Sequence, residues 1–252
     1  ALYELIKTAY APGGARAFDA DFMAGVYEQP FEVFWEEDPQ TIAEGREAAS
    51  PMGRHMNGCR IGFDAGGSDR KVSAVIDGEA VFSKEVVWFP KTNDNPDYHY
   101  QGILSAMKEA ADHMPRVDAI GVSSAGVYID NRIMVASLFL KVPKALFDLK
   151  VKDMYINVAK EIGDVPLVVA NDGDVTALAG AMSLNAGNVL GIAMGTSEAG
   201  GYVDHDMHIM GWLNELAFVP VDFNPGAMAD AWSGGLGCGV KYFSQDAVIK
   251  LA

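Results

Sequence analysis

The chain has 252 residues, of which 50% are hydrophobic and 21% charged, so it can bury one large core or two smaller ones. Its 34 acidic residues outnumber its 19 lysines and arginines, and the net charge of −15 argues against nucleic acid and anionic membranes as partners. Two cysteines are too few for a disulfide framework, and no apolar run is long enough to span a membrane. We therefore expect a cytoplasmic protein that binds neither nucleic acid nor membrane.

The first 57 residues differ from the rest of the chain. They hold ten acidic residues against four basic ones, and proline–glycine breaks interrupt them. No basic helix of the kind that reads DNA is present. We predict an N-terminal extension of unassigned role over residues 1–57, containing one or two helices.

The pattern changes at Arg60. Short alternating segments, with the turn signal Asp77-Gly78 between two of them, predict a three-stranded antiparallel meander over residues 60–88. A helix at 100–114, a buried strand at 117–122 and a helix at about 145–162 follow. A strand at 167–170, a helix at 174–184 and a strand at 189–194 come next.

This order departs from the strict strand–helix alternation of a doubly wound sheet. It matches one lobe of the actin-like ATPases, whose halves resemble ribonuclease H, and predicts an α/β, two-lobed fold. We predict a first lobe over residues 58–186 and the start of a second over 187–252. The chain ends inside a predicted helix, 242–251, which suggests a fragment, and we expect the second lobe to be incomplete here.

A first candidate site is the turn that follows the strand at 60–64. Gly66 and Gly67 let backbone N–H groups approach phosphate oxygens, Ser68 can donate to a phosphate, and Lys71 lies nearby. Asp64 could hold Mg²⁺ through water. A lone pair of glycines is more often a plain hairpin turn, so this motif alone is weak.

A second turn repeats the same chemistry. Gly195 and Thr196, followed by Ser197 and Gly200-Gly201, lie between two apolar strands. Two such turns, one opening each predicted lobe, would clamp a phosphate between them, and together they are more specific than either alone.

The third candidate is the pair Asn171-Asp172, which follows a strongly apolar strand. Asp172 could act as the general base that removes a proton from a sugar hydroxyl, while Asn171 orients the sugar. The alternative is that Asp172 or Asp174 only caps the next helix. Asp174 is well placed for capping, which would leave Asp172 free. Glu215, taken alone, would be interpreted as a solvated surface charge.

Taken together, these motifs resemble the ROK family of repressors and sugar kinases, over residues 59–252. The resemblance rests on residues 61–68, 169–172, 192–196 and 212–217, with Ser68 where the family usually has Thr. It implies that Asp172 is the catalytic base, that Asn171 and Glu215 bind the sugar, and that both glycine turns bind ATP with Mg²⁺. Members of the family are commonly dimers, so the resemblance implies a homodimer as well.

Two departures from the family pattern change what the resemblance implies. Phe218 replaces a histidine of the sugar site, and Val240 replaces a glutamate of the cysteine-rich zinc motif. Cys238 is the single cysteine left in that motif, and a structural zinc needs four nitrogen or sulfur ligands. We therefore expect no zinc, and we expect His205 and His208 to be surface or loop residues.

The expected function is ATP-dependent phosphorylation of a hexose-like sugar. The alternative is a regulatory protein that senses a sugar without turning it over, which the loss of two sugar ligands favours. An ATPase of the chaperone or cytoskeletal type is a third and weaker option, because it would not need the segment around Glu215.

Overall fold

The computed structural model describes residues 1–42 and 49–252, which fall into two compact units, 1–48 and 49–252. In the first unit, helix α1 (Leu2–Tyr10) precedes helix α2 (Ala17–Tyr27), where the sequence predicted one or two helices. The segment after α2 packs against α1: the rings of Phe31 in this segment and Tyr10 in α1 stack with their centroids 5.0 Å apart.

A five-stranded mixed sheet forms the centre of the second unit. Strands β1 (Cys59–Ala65), β2 (Asp69–Ile76) and β3 (Glu79–Val87) make the predicted antiparallel meander. Strands β4 (Ala119–Ser124) and β7 (Leu167–Asn171) then pair in parallel beside β1, which gives the order β3-β2-β1-β4-β7. This is the lobe topology predicted from the sequence.

The main core lies between this sheet and two helices, α3 (Pro96–Ala111) and α5 (Met154–Ile162). The 3.6-residue spacing of Ile103, Met107 and Ala110 places them on one buried face of α3. Trp88, which is 1% exposed, belongs to the same core and packs beside this helix.

The helix predicted over 145–162 is broken. The structure has a short α4 (Lys144–Leu146), a π-helical turn over Phe147–Val151, and then α5. At the break, the carbonyl of Lys152 accepts a hydrogen bond from the backbone N–H of Ile133 at 2.8 Å. Ile133 belongs to a hairpin that the sequence did not predict, formed by β5 (Val127–Ile129) and β6 (Arg132–Val135). A tertiary hydrogen bond therefore takes the carbonyl that would have continued the helix.

Helix α6 (Asp172–Leu184) lies against a two-stranded sheet of β8 (Val189–Met194) and β9 (Glu198–Val203). A second, smaller core of Ala177, Leu178, Ala181, Val203 and Ile209 fills this contact. Residues 204–244 contain only short 3₁₀ turns and isolated bridges, and the chain ends on α7 (Gln245–Leu251). No described helix is long and apolar enough to cross a membrane.

Candidate active site

The parallel strands bring the predicted site residues to one edge of the main sheet. Asp64 of β1 stands opposite Ser123 of β4, and Ser124 stands opposite Asn171 of β7. Parallel strands end at a common edge, so the first glycine turn and the Asn171-Asp172 pair open at the same carboxyl edge. Ligands of open α/β sheets bind at this kind of edge.

Asn171 is the residue that caps α6. Its Oδ1 accepts a hydrogen bond from the N–H of Gly173 at 2.8 Å, and its Nδ2 donates to the carbonyl of Gly126 at 2.8 Å. The expectation that Asp174 caps the helix is wrong, because α6 begins at Asp172, two residues earlier than predicted. Asp172 Oδ1 also accepts from the N–H of Gly173, at 3.1 Å, which orients the carboxylate at the start of the helix.

Three carboxyl groups share this end of α6. Burial raises the pKa of Asp172, and the charge of Asp64 raises it further. Burial raises the pKa of Asp174 to about 6, with a contribution from Asp172, although a hydrogen bond from Asn214 opposes the rise. Burial, together with the charges of Asp172 and Asp174, raises the pKa of Glu215 to about 7. The sequence alone would have placed Glu215 on the surface, whereas the fold places it beside Asp172.

One hydrogen bond ties the Glu215 segment to the helix. Asn214 Nδ2 donates to Asp174 Oδ1 at 3.1 Å. Asp174 is a site residue that sequence reasoning treated only as a helix cap. The sequence signal for such a role was that Asp174 lies two residues after Asp172. Two residues this close together at the start of a helix can both border a pocket at that end.

The raised pKa of Glu215 predicts how the free energy of unfolding depends on pH. Glu215 has an ordinary pKa near 4.5 and a folded pKa of about 7, so the unfolded chain releases this proton at lower pH than the folded one. We expect stability to fall as pH rises from about 4.5 to about 7. The Glu215→Gln variant should unfold about 2–6 °C above the wild type at about pH 8, with little difference at about pH 4.5. Thermal unfolding measured across this range checks it; a difference independent of pH would contradict it.

The first glycine turn is held by Trp88. Its indole Nε1 donates to the carbonyl of Gly66 at 2.8 Å, and its backbone N–H donates to the carbonyl of Ser68 at 3.1 Å. Gly67 and Ser68 are exposed at the tip. Lys71 Nζ lies 2.5 Å from Asp69 Oδ1 and 3.9 Å from Asp64 Oδ2. The tip of the predicted phosphate-binding turn is therefore exposed, while two hydrogen bonds from Trp88 hold its backbone.

The second glycine turn joins β8 to β9. The N–H of Gly195 donates to the carbonyl of Ser197 at 2.9 Å, which leaves Thr196 exposed at the tip. The N–H of Gln245 donates to the carbonyl of Gly195 at 2.9 Å, which ties the start of α7 to the turn.

Gly200-Gly201, which also belonged to this motif, has a packing role. A Cβ on Gly173 would stand 2.2 Å from the carbonyl oxygen of Gly200, and one on Gly201 would stand 2.3 Å from that of Gly173. Real Cβ atoms essentially never approach so closely, so these glycines allow the start of α6 to lie directly on β9.

Glu198 is a buried carboxyl group that sequence reasoning missed. It is 9% exposed, and its Oε2 has no hydrogen-bond partner among the described residues. Burial raises its pKa. A Cβ on Gly239 would stand 2.2 Å from this oxygen and 2.7 Å from the carbonyl of Leu216, so the carboxyl group lies where β9 meets the segments around Leu216 and Gly239.

The two departures from the family pattern lie near this junction. The ring of Phe218 packs edge-on against Trp232, with the ring centroids 5.2 Å apart. Val240 is half-buried in the 3₁₀ turn Gly239–Lys241. Both positions therefore carry apolar side chains in structured segments.

Neither cysteine forms a disulfide, and both are buried. Among the residues described, one group could offer several ligand atoms to a metal: Asp204, Asp206 and His208, in the turn after β9. Asp204 Oδ1 already accepts from the N–H groups of Asp206 and His208. His205 and His208 thus lie in a loop, as predicted.

The main sheet and the helices packed on it form the fold that is seen in solved structures of ROK family proteins. Two of these ROK structures cover 78% and 77% of the chain. No model of a protein family matches the sequence, and no curated protein matches it. The predicted fold class is confirmed.

Three structures illustrate the likeness. A ROK family transcriptional regulator, described as a homolog of the E. coli MLC protein, has a TM-score of 0.56 at 17% identity, over 78% of this chain and 49% of that one. The ROK hexokinase from Thermus thermophilus has a TM-score of 0.55 at 17% identity, over 77% and 64%. An inorganic polyphosphate/ATP-glucomannokinase from Arthrobacter sp. strain KM has a TM-score of 0.56 at 20% identity, over 77% and 71%. The chain thus spans 49% and 64% of the first two.

Proposed function

We propose that this protein transfers the γ-phosphoryl group of Mg·ATP to a hydroxyl group of a hexose-like sugar. The observation that carries the proposal is the position of Asp172: at the carboxyl edge of the sheet, half-buried, and electrostatically coupled to Asp64 and Glu215. Support also comes from the fold, which the chain shares with proteins described as a hexokinase and a glucomannokinase.

In the proposed reaction, Asp172 takes the proton of the attacking sugar hydroxyl. The sugar oxygen forms a bond to the γ-phosphorus, the bond from that phosphorus to the bridging oxygen breaks, and ADP leaves. The raised pKa of Asp172 makes its carboxylate a stronger base than an exposed aspartate. Asn171, although engaged as the helix cap, keeps lone-pair and N–H capacity to orient the sugar with Glu215.

The phosphates would bind at the two glycine turns. Gly66, Gly67 and Ser68 offer backbone N–H groups and a hydroxyl, with Lys71 beside them. At the second turn Thr196 offers its exposed hydroxyl, while Gly195, whose N–H is used within the turn, has no side chain to obstruct a phosphate. Mg²⁺ takes oxygen ligands, and the partly exposed carboxylate of Asp64 fits this preference through a bridging water. When bound, the ion neutralises charge on the phosphates.

A second candidate function is that of a sugar sensor without turnover. Phe218 and Val240 favour it, because apolar side chains cannot replace the hydrogen bonds of a histidine and a glutamate. One structure with this fold is described as a transcriptional regulator.

A coupled assay of ADP release, run with Mg·ATP and a panel of hexoses, amino-hexoses and N-acyl hexosamines, separates the two functions. Sugar-dependent turnover supports the kinase and identifies the substrate class. Thermal stabilisation by a sugar without any turnover would overturn the kinase proposal and support the sensor.

A further inference from the structure

We infer that Lys91 is a phosphate-binding residue, whose ammonium group contacts a phosphate bound at the first glycine turn. The inference deepens the proposed function and rests on it in so far as the phosphate belongs to ATP. Its starting point is geometry: a Cβ on Gly67 would stand 3.0 Å from both Cε and Nζ of Lys91. The ammonium group of Lys91 therefore lies directly over the turn.

The segment that carries Lys91 is fixed to the same turn. Trp88 donates hydrogen bonds to the carbonyls of Gly66 and Ser68. Pro90, which is buried, begins the 3₁₀ turn that contains Lys91, and its carbonyl oxygen lies 3.0 Å from Nε2 of the buried His99. A lysine on a fixed backbone loses less conformational freedom when it binds a ligand.

Lys91 is also a cation at this turn that no described carboxylate holds. Lys71 is held by the carboxylates of Asp69 and Asp64. Lys91 makes no ion pair and no hydrogen bond within residues 1–42 and 49–252. Its stem is half-buried, while Gly67 beneath its ammonium group is exposed, so a phosphate on the turn could reach both.

Charge explains why such a cation is needed. The chain carries a net charge of −15, and Asp64 and Asp69 flank the turn, so a polyphosphate anion approaches a negative region. An ammonium group offers three donors to phosphate oxygens, and hydrogen bonds of this charged kind are about twice as strong as neutral ones. Lys91 would thus offset the repulsion where the phosphate must bind.

Calorimetric titration of the chain with Mg·ATP and, separately, with inorganic triphosphate tests the inference. Lys91→Met keeps the length of the side chain and removes its charge, so we expect the Kd for both ligands to rise about tenfold. Lys91→Arg keeps the charge and should stay within about threefold of the wild type. The matched control is Lys84→Met, because Lys84 pairs with Glu109 at 2.7 Å and should leave both Kd values unchanged.

The outcomes separate this inference from the kinase proposal. If Mg·ATP binds and Lys91→Met binds it as tightly as the wild type, the inference is overturned while the proposed function stands. If the wild type binds triphosphate but not Mg·ATP, and Lys91→Met loses that binding, Lys91 is confirmed as a phosphate ligand and the ATP-dependent function fails. If neither compound binds the wild type, both are overturned.

Discussion

Replacing Asp172 by Asn is expected to lower the rate of sugar phosphorylation by about 10²–10⁴-fold, the usual contribution of a general base. The amide keeps the shape of the carboxylate and can still accept the hydrogen bond from the N–H of Gly173. It cannot take the proton of the attacking hydroxyl. Steady-state kinetics should therefore show a large fall in kcat with a much smaller change in the KM for Mg·ATP.

The same variant should fold normally. Burial disfavours the charged form of Asp172, and an Asn at this position removes that cost, so its thermal unfolding midpoint should equal or exceed that of the wild type. Asp112→Asn, at the exposed C-terminal end of α3, is the matched control and should leave both rate and stability unchanged. If Asp172→Asn retained most of the wild-type rate, Asp172 would not be the base.

Gly173→Ala should destabilise the protein strongly. The added Cβ would meet the backbone of Gly200, whose oxygen, carbon and nitrogen would lie at 2.2, 2.5 and 2.6 Å. A backbone on a paired strand cannot turn aside as a flexible side chain can, so α6 and β9 must separate. We expect a loss of about 2–4 kcal/mol in the free energy of unfolding, measured by urea denaturation.

Gly180 on the same helix provides the control. A Cβ there would find its nearest neighbour, Cγ1 of Val189, at an ordinary 3.6 Å. Because alanine favours a helix interior over glycine, Gly180→Ala should stabilise the protein by about 0.5–1 kcal/mol. Equal effects of the two substitutions would show that the contact of Gly173 with Gly200 is not tight.

Much of the fold was predictable because local patterns and tertiary structure agree in the main sheet. The Asp77-Gly78 turn set the pairing of β2 with β3, and the apolar runs before Ser123 and Asn171 identified buried parallel strands. The carboxyl-edge position of Asp172 followed from the strand that precedes it.

What the sequence did not reveal depends on contacts between distant segments. The break before α5 arises from a hydrogen bond between Ile133 and Lys152. Asn171 caps α6 because its side chain accepts a hydrogen bond from Gly173 and donates one to Gly126. Lys91 lies beside Gly67 because hydrogen bonds from Trp88 hold the chain near the turn. A contact of this kind leaves no periodic pattern in the sequence.

The burial of Glu215 is of the same kind. Its segment has no regular secondary structure to signal burial, and its position depends on the hydrogen bond between Asn214 and Asp174. Only the family resemblance indicated a role for it, and that role stays a prediction; the structure shows a largely buried carboxyl group beside two others.

The most direct test of the central claim is to identify the product by ³¹P NMR after incubation with Mg·ATP and the sugar that supports the highest turnover. The account predicts a sugar phosphate monoester that forms in step with ADP and is absent with Asp172→Asn. Formation of ADP and inorganic phosphate alone would show an ATPase, and no reaction with any sugar of the panel would contradict phosphoryl transfer altogether.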